Sequence, residues 1–465
     1  ALVWPVACRV IRQRWPVGLA VLVAVVMSGH GWAAPQLARS QDRSRFTVTT
    51  FASGLAFPTS MTTLADGSLL VATSAGGANS SLWSSGVGSL VRLVDGDGDG
   101  IADGDPQVLA TGLPGLLTSV RRVGDTVVAL SSQGGNQAIT FLRTGSSSAT
   151  PLTVSGALRF SFPSGFEHTT YTLAARVAPG GSGIETYFNV GAKANATSTS
   201  PAETVGLSGT GVSFTTSSLL ADSVYRVTMT HKNGTAVVSA PVRIAAGLRN
   251  AAGMVFDPAG NLWLQDNGID DPENRSLALS ADEINVIAAN DVGVTVPDFG
   301  FAATYTDYAS GAIVGPTGGV TLPEVAFLPI SGEKSEGAVE LALAPAVFPA
   351  DFSPGGFVTF SGVYNAGGTA NDENPVAFFD VSSGEYFHFI ENQQMGHPNG
   401  LLATADALYL SDLSTTGAFY GTVGGVAADA AGAIYRIAPV PEPSSIGLAL
   451  AAMVTAAVAY RGRRR

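Results

Sequence analysis

Four closely spaced carboxylates form the sharpest chemical motif of the chain: Asp95, Asp97, Asp99 and Asp103, in the run Asp-Gly-Asp-Gly-Asp-Gly-Ile-Ala-Asp. Interleaved glycines let the backbone curl, so that the oxygens can converge on a hard cation as in the first half of an EF-hand loop. Calcium is the natural occupant. No glutamate closes the loop as in a full EF-hand, so a solvated acidic turn is the alternative. Nothing nucleophilic lies beside the motif in the chain, and the metal is expected to be structural.

A second constellation is Arg249 and Asn250, inside Gly-Leu-Arg-Asn-Ala-Ala-Gly at 247–253, followed by Gly268 and by Asp-Glu-Ile-Asn at 282–285. A guanidinium offers a bidentate fork to carboxylates and carbonyls, and a carboxamide both donates and accepts. His168, in Glu-His-Thr-Thr-Tyr-Thr-Leu at 167–173, is the candidate general base, because imidazole titrates near neutral pH. His397, in Gly-His-Pro-Asn-Gly-Leu, is a second histidine that could face a channel. The chain has neither a phosphate-binding glycine loop nor a His-Glu-x-x-His helix.

The elements that must position these residues recur. Six times a turn of Gly, Asp or Pro type leads into a short β-rich run: at 65–71, 124–129, 179–188, 258–264, 354–360 and 405–410. Several copies follow a second short strand, as in Met-Thr-Thr-Leu at 61–64, so the unit contains a hairpin. The spacing leaves room for four strands per unit. Repeated four-stranded units wrapped around an axis make a β-propeller, and the expected fold is an all-β, six-bladed propeller over residues 46–439. Two tandem β-sandwiches are the alternative. The strand pattern at 432–437 is expected to complete a blade with the N-terminal strand near Phe46, and the widest gap between copies, 259–355, to hold loops that border a site.

At Arg249, Asn250, Gly268 and Glu283 to Asn285 the chain resembles the glucose/sorbosone dehydrogenase family, soluble six-bladed propellers that use pyrroloquinoline quinone. The resemblance extends over most of the body, from Gly-Leu-Ala-Phe-Pro-Thr-Ser-Met at 54–61 to the segment containing His168. It implies that Arg249 and Asn250 face the quinone, that Gly268 gives a carbonyl to calcium, and that His168 is the catalytic base in oxidation of a sugar or sugar-derived alcohol. The chain departs from the family pattern twice. Gly191 is followed by Ala-Lys-Ala-Asn without the acid that assists the histidine, and Gly-Val-Tyr-Asn-Ala-Gly at 362–367 lacks an arginine that contacts the cofactor. A non-catalytic propeller that binds carbohydrate or protein in the cell-surface or biofilm matrix is therefore the other reading.

Both ends read as addresses. Residues 1–33 carry Arg9, Arg12 and Arg14, an apolar stretch at 17–27 and small residues at Gly31 and Ala33, the layout of a cleavable signal peptide. Residues 440–465 contain Pro441, Glu442 and Pro443, an apolar run at 446–460 and a basic terminus. This order resembles the PEP-CTERM sorting signal of Gram-negative bacteria. It implies export through the inner membrane, transient anchoring by a short transmembrane helix at 446–460, processing by an exosortase-type enzyme, and delivery to the cell surface or extracellular matrix. An ordinary tail anchor is the plainer alternative. Cys8, the only cysteine, lies in the N-terminal segment, so the body has no thiol for a disulfide. Seven of the 24 Lys and Arg also lie in the two ends, which leaves the body more acidic than the whole-chain charge of −12. Nucleic acid is thereby an unsuitable partner.

Overall fold

Alternating apolar positions along short strands dictate the architecture, because each strand must bury residues on both of its faces. The structure, a computed structural model, describes residues 34–75, 87–132, 137–213, 216–271, 273, 277–330, 337–362, 371–415, 422–423, 426–427 and 431–440. It is a six-bladed β-propeller. Blade 1 comprises Ser60–Thr63, Leu69–Ala75, Val87–Leu93 and Gln107–Pro114. Blade 4 is Ala251–Phe256, Leu262–Asp266, Asp282–Ile287 and Val325–Phe327. Blade 5 is Ala338–Leu343, Gly355–Phe360, Val376–Asp380 and Glu385–Ile390.

Blades 2 and 3 share their outer strands. Blade 2 runs outward from Leu116–Val123 through Thr126–Ser132, Ala138–Arg143 and Thr153–Ser161. Blade 3 starts with Leu173–Val177, Ile184–Val190 and Ser223–Lys232. Between the second and third of these strands the chain returns to add Val205–Thr210 to blade 2, pairs Val212–Ser213 with blade 3, and goes back with Ser217–Leu219. This interleaving supplies strands beyond four to both blades.

Blade 6 closes the ring. It holds Pro398–Ala403, Leu408–Asp412 and Gly432–Pro439, and its outermost strand is the N-terminal Phe46–Leu55, in register from Phe46 opposite Pro439 to Leu55 opposite Gly432. The innermost strands touch one another in sequence around the axis, with that of blade 6 meeting that of blade 1.

Each of the six repeated turns joins the first and second strands of one blade. Alternation along the second strands then builds six cores, one between each pair of neighbours. Leu70 and Ala72 pack toward blade 2, whereas Leu69 and Val71 pack toward blade 6. Leu262 and Leu264 face blade 3 while Trp263 faces blade 5. Tandem sandwiches are excluded by this ring of interfaces. Among the described residues no helix is long and apolar enough to cross a membrane. The segments 1–33, 441–443 and 446–460 lie outside the described residues.

Candidate functional site

Strand direction assigns the two ends of the channel different roles. The repeated turns lie at one end, and the starts of the inner strands meet at the other. There an Asn or Asp ending the second strand accepts hydrogen bonds from backbone N–H groups of its own blade. Asn189 Oδ1 accepts from Tyr171 and Thr172 N–H at 2.7 and 3.1 Å. Asp266 accepts from Asn250 at 2.7 Å and Arg249 at 3.0 Å. Asp412 accepts from His397, Gly396 and Ser414 at 2.8, 2.9 and 3.1 Å. These side chains satisfy buried donors that no sheet ladder reaches, and they fix the segments that carry the candidate residues.

Residue 192 joins two of those segments. His168 N–H donates to the Ala192 carbonyl at 3.0 Å, and Ala192 N–H donates to the Arg249 carbonyl at 2.7 Å. Gly191 makes this possible, since a Cβ there would lie 2.7 Å from His168 Cβ and 3.1 Å from the Arg249 carbonyl oxygen. Gly253 plays a similar part between blades, where a Cβ would meet Leu341 N at 2.8 Å.

The result is a cavity of about 270 Å³ lined by His168, Tyr171, Arg249, Asn250, Asp270 and Asn399, among others. His168, Arg249 and Asn250 therefore meet as expected. Gly268 lies behind this wall in an adjoining space of about 20 Å³, room for about one water molecule. Its N–H donates to Asp282 Oδ1 at 2.7 Å. His397 is fully buried between blades 5 and 6, its Nδ1 3.1 Å from the Ser361 carbonyl oxygen, and it does not line the cavity.

Arg249 is held tightly. Only 3% of it is exposed. Its Nε donates to the Asn195 carbonyl at 2.9 Å, and its Nη2 donates to Asn195 Oδ1 at 2.7 Å and to Asp270 Oδ2 at 3.0 Å. Asn195 and Asp270 are the site residues that the sequence reading missed. Their positions, 54 and 21 residues from Arg249, follow no local pattern, although Asn195 falls in the segment noted for its missing acid.

Carboxylates crowd this end of blade 4. Burial pushes Asp266 up to about 7, against the pull of the Asn250 and Arg249 N–H groups. Burial likewise raises Asp282 to about 6 and Glu283 to about 7, the latter despite hydrogen bonds from Thr306. Asp412 and Glu340 are also raised by burial.

The acidic loop is elsewhere. Carboxylate oxygens of Asp95, Asp97 and Asp99 lie within 4.8 Å of one another, in the connection between the third and fourth strands of blade 1 and so at the end of the ring opposite the cavity. Asp103 lies outside that group of three and accepts the Gly96 N–H at 2.6 Å across the loop.

The chain is similar in structure to the quinone-binding (PQQ) domain of pyranose dehydrogenase from Coprinopsis cinerea in its holo form, at 13% identity and a TM-score of 0.55 over 87% of this chain and 97% of that one. The PQQ-bound aldose sugar dehydrogenase of Streptomyces coelicolor matches at 16% identity and 0.52, over 85% and 99%. A calcium structure of a Trichoderma reesei family AA12 carbohydrate-active enzyme matches at 14% and 0.51, over 88% and 98%. No protein-family model and no curated protein sequence matches the chain. At these identities the likeness establishes the fold alone, a six-bladed β-propeller.

The cavity's own residues do not suit a tricarboxylate quinone. Among the described lining residues Arg249 is the one permanent cation, it is ion-paired with Asp270, and Asp282 adds a second carboxylate. Among the described lining residues a trianion placed here would meet two carboxylates and one already paired guanidinium in a partly desolvated site, where like charges repel most strongly.

Proposed function

We propose that this sugar-dehydrogenase-like propeller is a binding protein that takes a neutral, polyhydroxylated ligand, a sugar or the end of an exopolysaccharide, into the cavity between Arg249, His168 and Tyr171. The observation that carries this reading is the Arg249–Asp270 ion pair, 3.0 Å long and supported by Asn195. It leaves no uncompensated cation among the described lining residues to face a quinone carboxylate. Such a lining suits hydroxyl groups, which donate and accept without bringing charge. The test is to add calcium and pyrroloquinoline quinone to the purified protein and pass it through a sizing column, then titrate neutral monosaccharides by calorimetry. The quinone absorbance is expected to separate from the protein and a neutral sugar to bind. Stoichiometric quinone retention, with sugar oxidised by an artificial electron acceptor, would overturn the reading and restore His168 as a catalytic base.

Calcium belongs to the acidic loop in this proposal. The convergence of Asp95, Asp97 and Asp99 supports it, because oxygen ligands at this spacing suit a hard cation. An ion bound only by the folded state stabilises by RT ln(1 + [L]/Kd), about 2.7 kcal/mol at a hundredfold excess over Kd. Calcium is expected to raise the melting temperature by a few degrees, and Asp97→Asn with Asp99→Asn to abolish the rise. A midpoint indifferent to both calcium and chelator would exclude the site.

The ends support a reading of export followed by sorting. With Pro441→Ala and Glu442→Ala the protein is expected to stay in the membrane fraction, while deletion of residues 446–465 is expected to release it. Normal processing of the double variant would show that the Pro-Glu-Pro segment is not read.

A further inference from the structure

The inner strands cross the channel with their side chains at two depths. Nearer the mouth, Asn399 of blade 6 donates its Nδ2–H to the hydroxyl oxygen of Tyr171, just ahead of blade 3, at 3.1 Å. Deeper, Arg121 of blade 2 donates Nη2–H to Glu340 Oε2 of blade 5 at 2.8 Å, and its Nη1 donates to Ser60 Oγ of blade 1 at 3.1 Å. Blades 3 and 6, like blades 2 and 5, stand opposite each other in a ring of six. Tyr171 and Asn399 line the cavity, whereas Arg121 and Glu340 do not. The cavity thus ends on the first crossing and is backed by the second.

We propose that Tyr171 and Asn399 are the specificity-determining pair of the cavity, recognising one hydroxyl group of a neutral sugar that enters end-on. This rests on the ligand class proposed above. One amide N–H of Asn399 is spent on the tyrosine oxygen, which leaves the Tyr171 O–H proton as a donor and Asn399 Oδ1 as an acceptor, neither with another partner among the described residues. A hydroxyl satisfies both at once. A carboxylate could only accept, which would leave Asn399 Oδ1 unmatched, and an ammonium could only donate, which would leave the Tyr171 O–H unmatched, in a partly buried site. Tyr171 keeps its proton throughout the working pH range, since burial pushes it up to about 12. The Arg121–Glu340 crossing makes the cavity blind. A ligand must therefore enter and leave by the same mouth, which suits a free sugar or a chain terminus and excludes threading of a polymer through the ring.

The test uses the purified protein and a panel of D-glucose, D-galactose, D-mannose and D-xylose, followed by the mono-deoxy forms of the tightest binder. Tyr171→Phe is expected to weaken binding about tenfold with the β-sheet circular dichroism of wild type. One mono-deoxy sugar is expected to bind wild type more weakly by a similar factor and to lose nothing further on the variant, since the same contact is removed from either side. Asn399→Asp, which turns the tyrosine proton toward the new carboxylate, gives a second route to the same loss. If wild type binds a sugar and both variants bind it equally well, the pair is not the recognition element although the cavity reading stands. If wild type binds no member of the panel, both proposals fall.

Discussion

A chain that starts at Ala56 will lose its cooperative thermal transition. The missing strand, Phe46–Leu55, is the fourth strand of blade 6 and pairs along its length with Gly432–Pro439. Its side chains reach two interfaces: Phe46 joins the aromatic cluster of Phe348, Phe352 and Phe389 between blades 5 and 6, and Phe51 and Leu55 join the core between blades 6 and 1. Ahead of the strand Leu37 is also buried, and Ala38 N–H donates to the Phe389 carbonyl at 2.9 Å. Four large apolar side chains at roughly 1.5–3 kcal/mol each amount to about 6–12 kcal/mol. That is comparable with the roughly 5–15 kcal/mol by which a folded domain is stable. Differential scanning calorimetry of the truncated protein should therefore show no sharp endotherm, and a synthetic peptide of residues 34–55 should restore part of it. A transition unchanged by the truncation would mean that the ring does not depend on its closing strand.

The second large effect is a stability maximum displaced to mildly acidic pH. Asp266, Asp282 and Glu283 are raised to about 7, 6 and 7 by burial, and Asp412 and Glu340 move the same way. A raised carboxyl holds its proton in the folded state after the unfolded chain has released it. Folding is then favoured most while the proton is bound in both states, and stability falls as pH climbs from the unfolded value, about 4, through the folded values near 6 and 7. Carboxylates such as Asp66, Asp257 and Asp406 shift downward and act oppositely, so stability is also lost in stronger acid. Between about pH 8 and about pH 5.5 the gain should be on the order of a few kcal/mol. Chemical denaturation at the two pH values measures it. Glu283→Gln should flatten the profile, and a protein more stable at the higher pH would refute the assignment.

The parts of this molecule legible in the sequence are those whose cause is local. Each repeated turn, such as Asp66-Gly67 or Pro258-Ala259-Gly260, needs backbone geometry that only a few residue types allow, so all six mark the first hairpin of a blade. Ring closure was legible for a related reason, because the run at 432–437 repeats the strand pattern once more and the stretch near Phe46 offers a strand to complete its blade. The exchange of strands between blades 2 and 3 was not, since Val205–Thr210 has an ordinary strand pattern that does not say which sheet it joins. At the site, His168, Arg249 and Asn250 stood out by motif, and the structure brings them to one cavity. What determines the character of that cavity is non-local: Asn195 and Asp270 on Arg249, and cross-channel pairs separated by 219 and 228 residues.

The closing ladder also decides how the molecule responds to mechanical load. Val440 N–H donates to the Arg45 carbonyl at 2.8 Å, beside the Phe46–Pro439 pair, so the closing ladder begins and ends at one point on the rim. Tension applied between Arg45 and Val440 would peel the ladder one rung at a time from that point, the direction in which paired strands resist least. Tension arriving through the C-terminal side alone meets Gly432–Pro439, which is gripped by Leu408–Asp412 on one side and Phe46–Leu55 on the other. A ring tethered by its tail and left free at its head would thus carry drag on its better-secured strand.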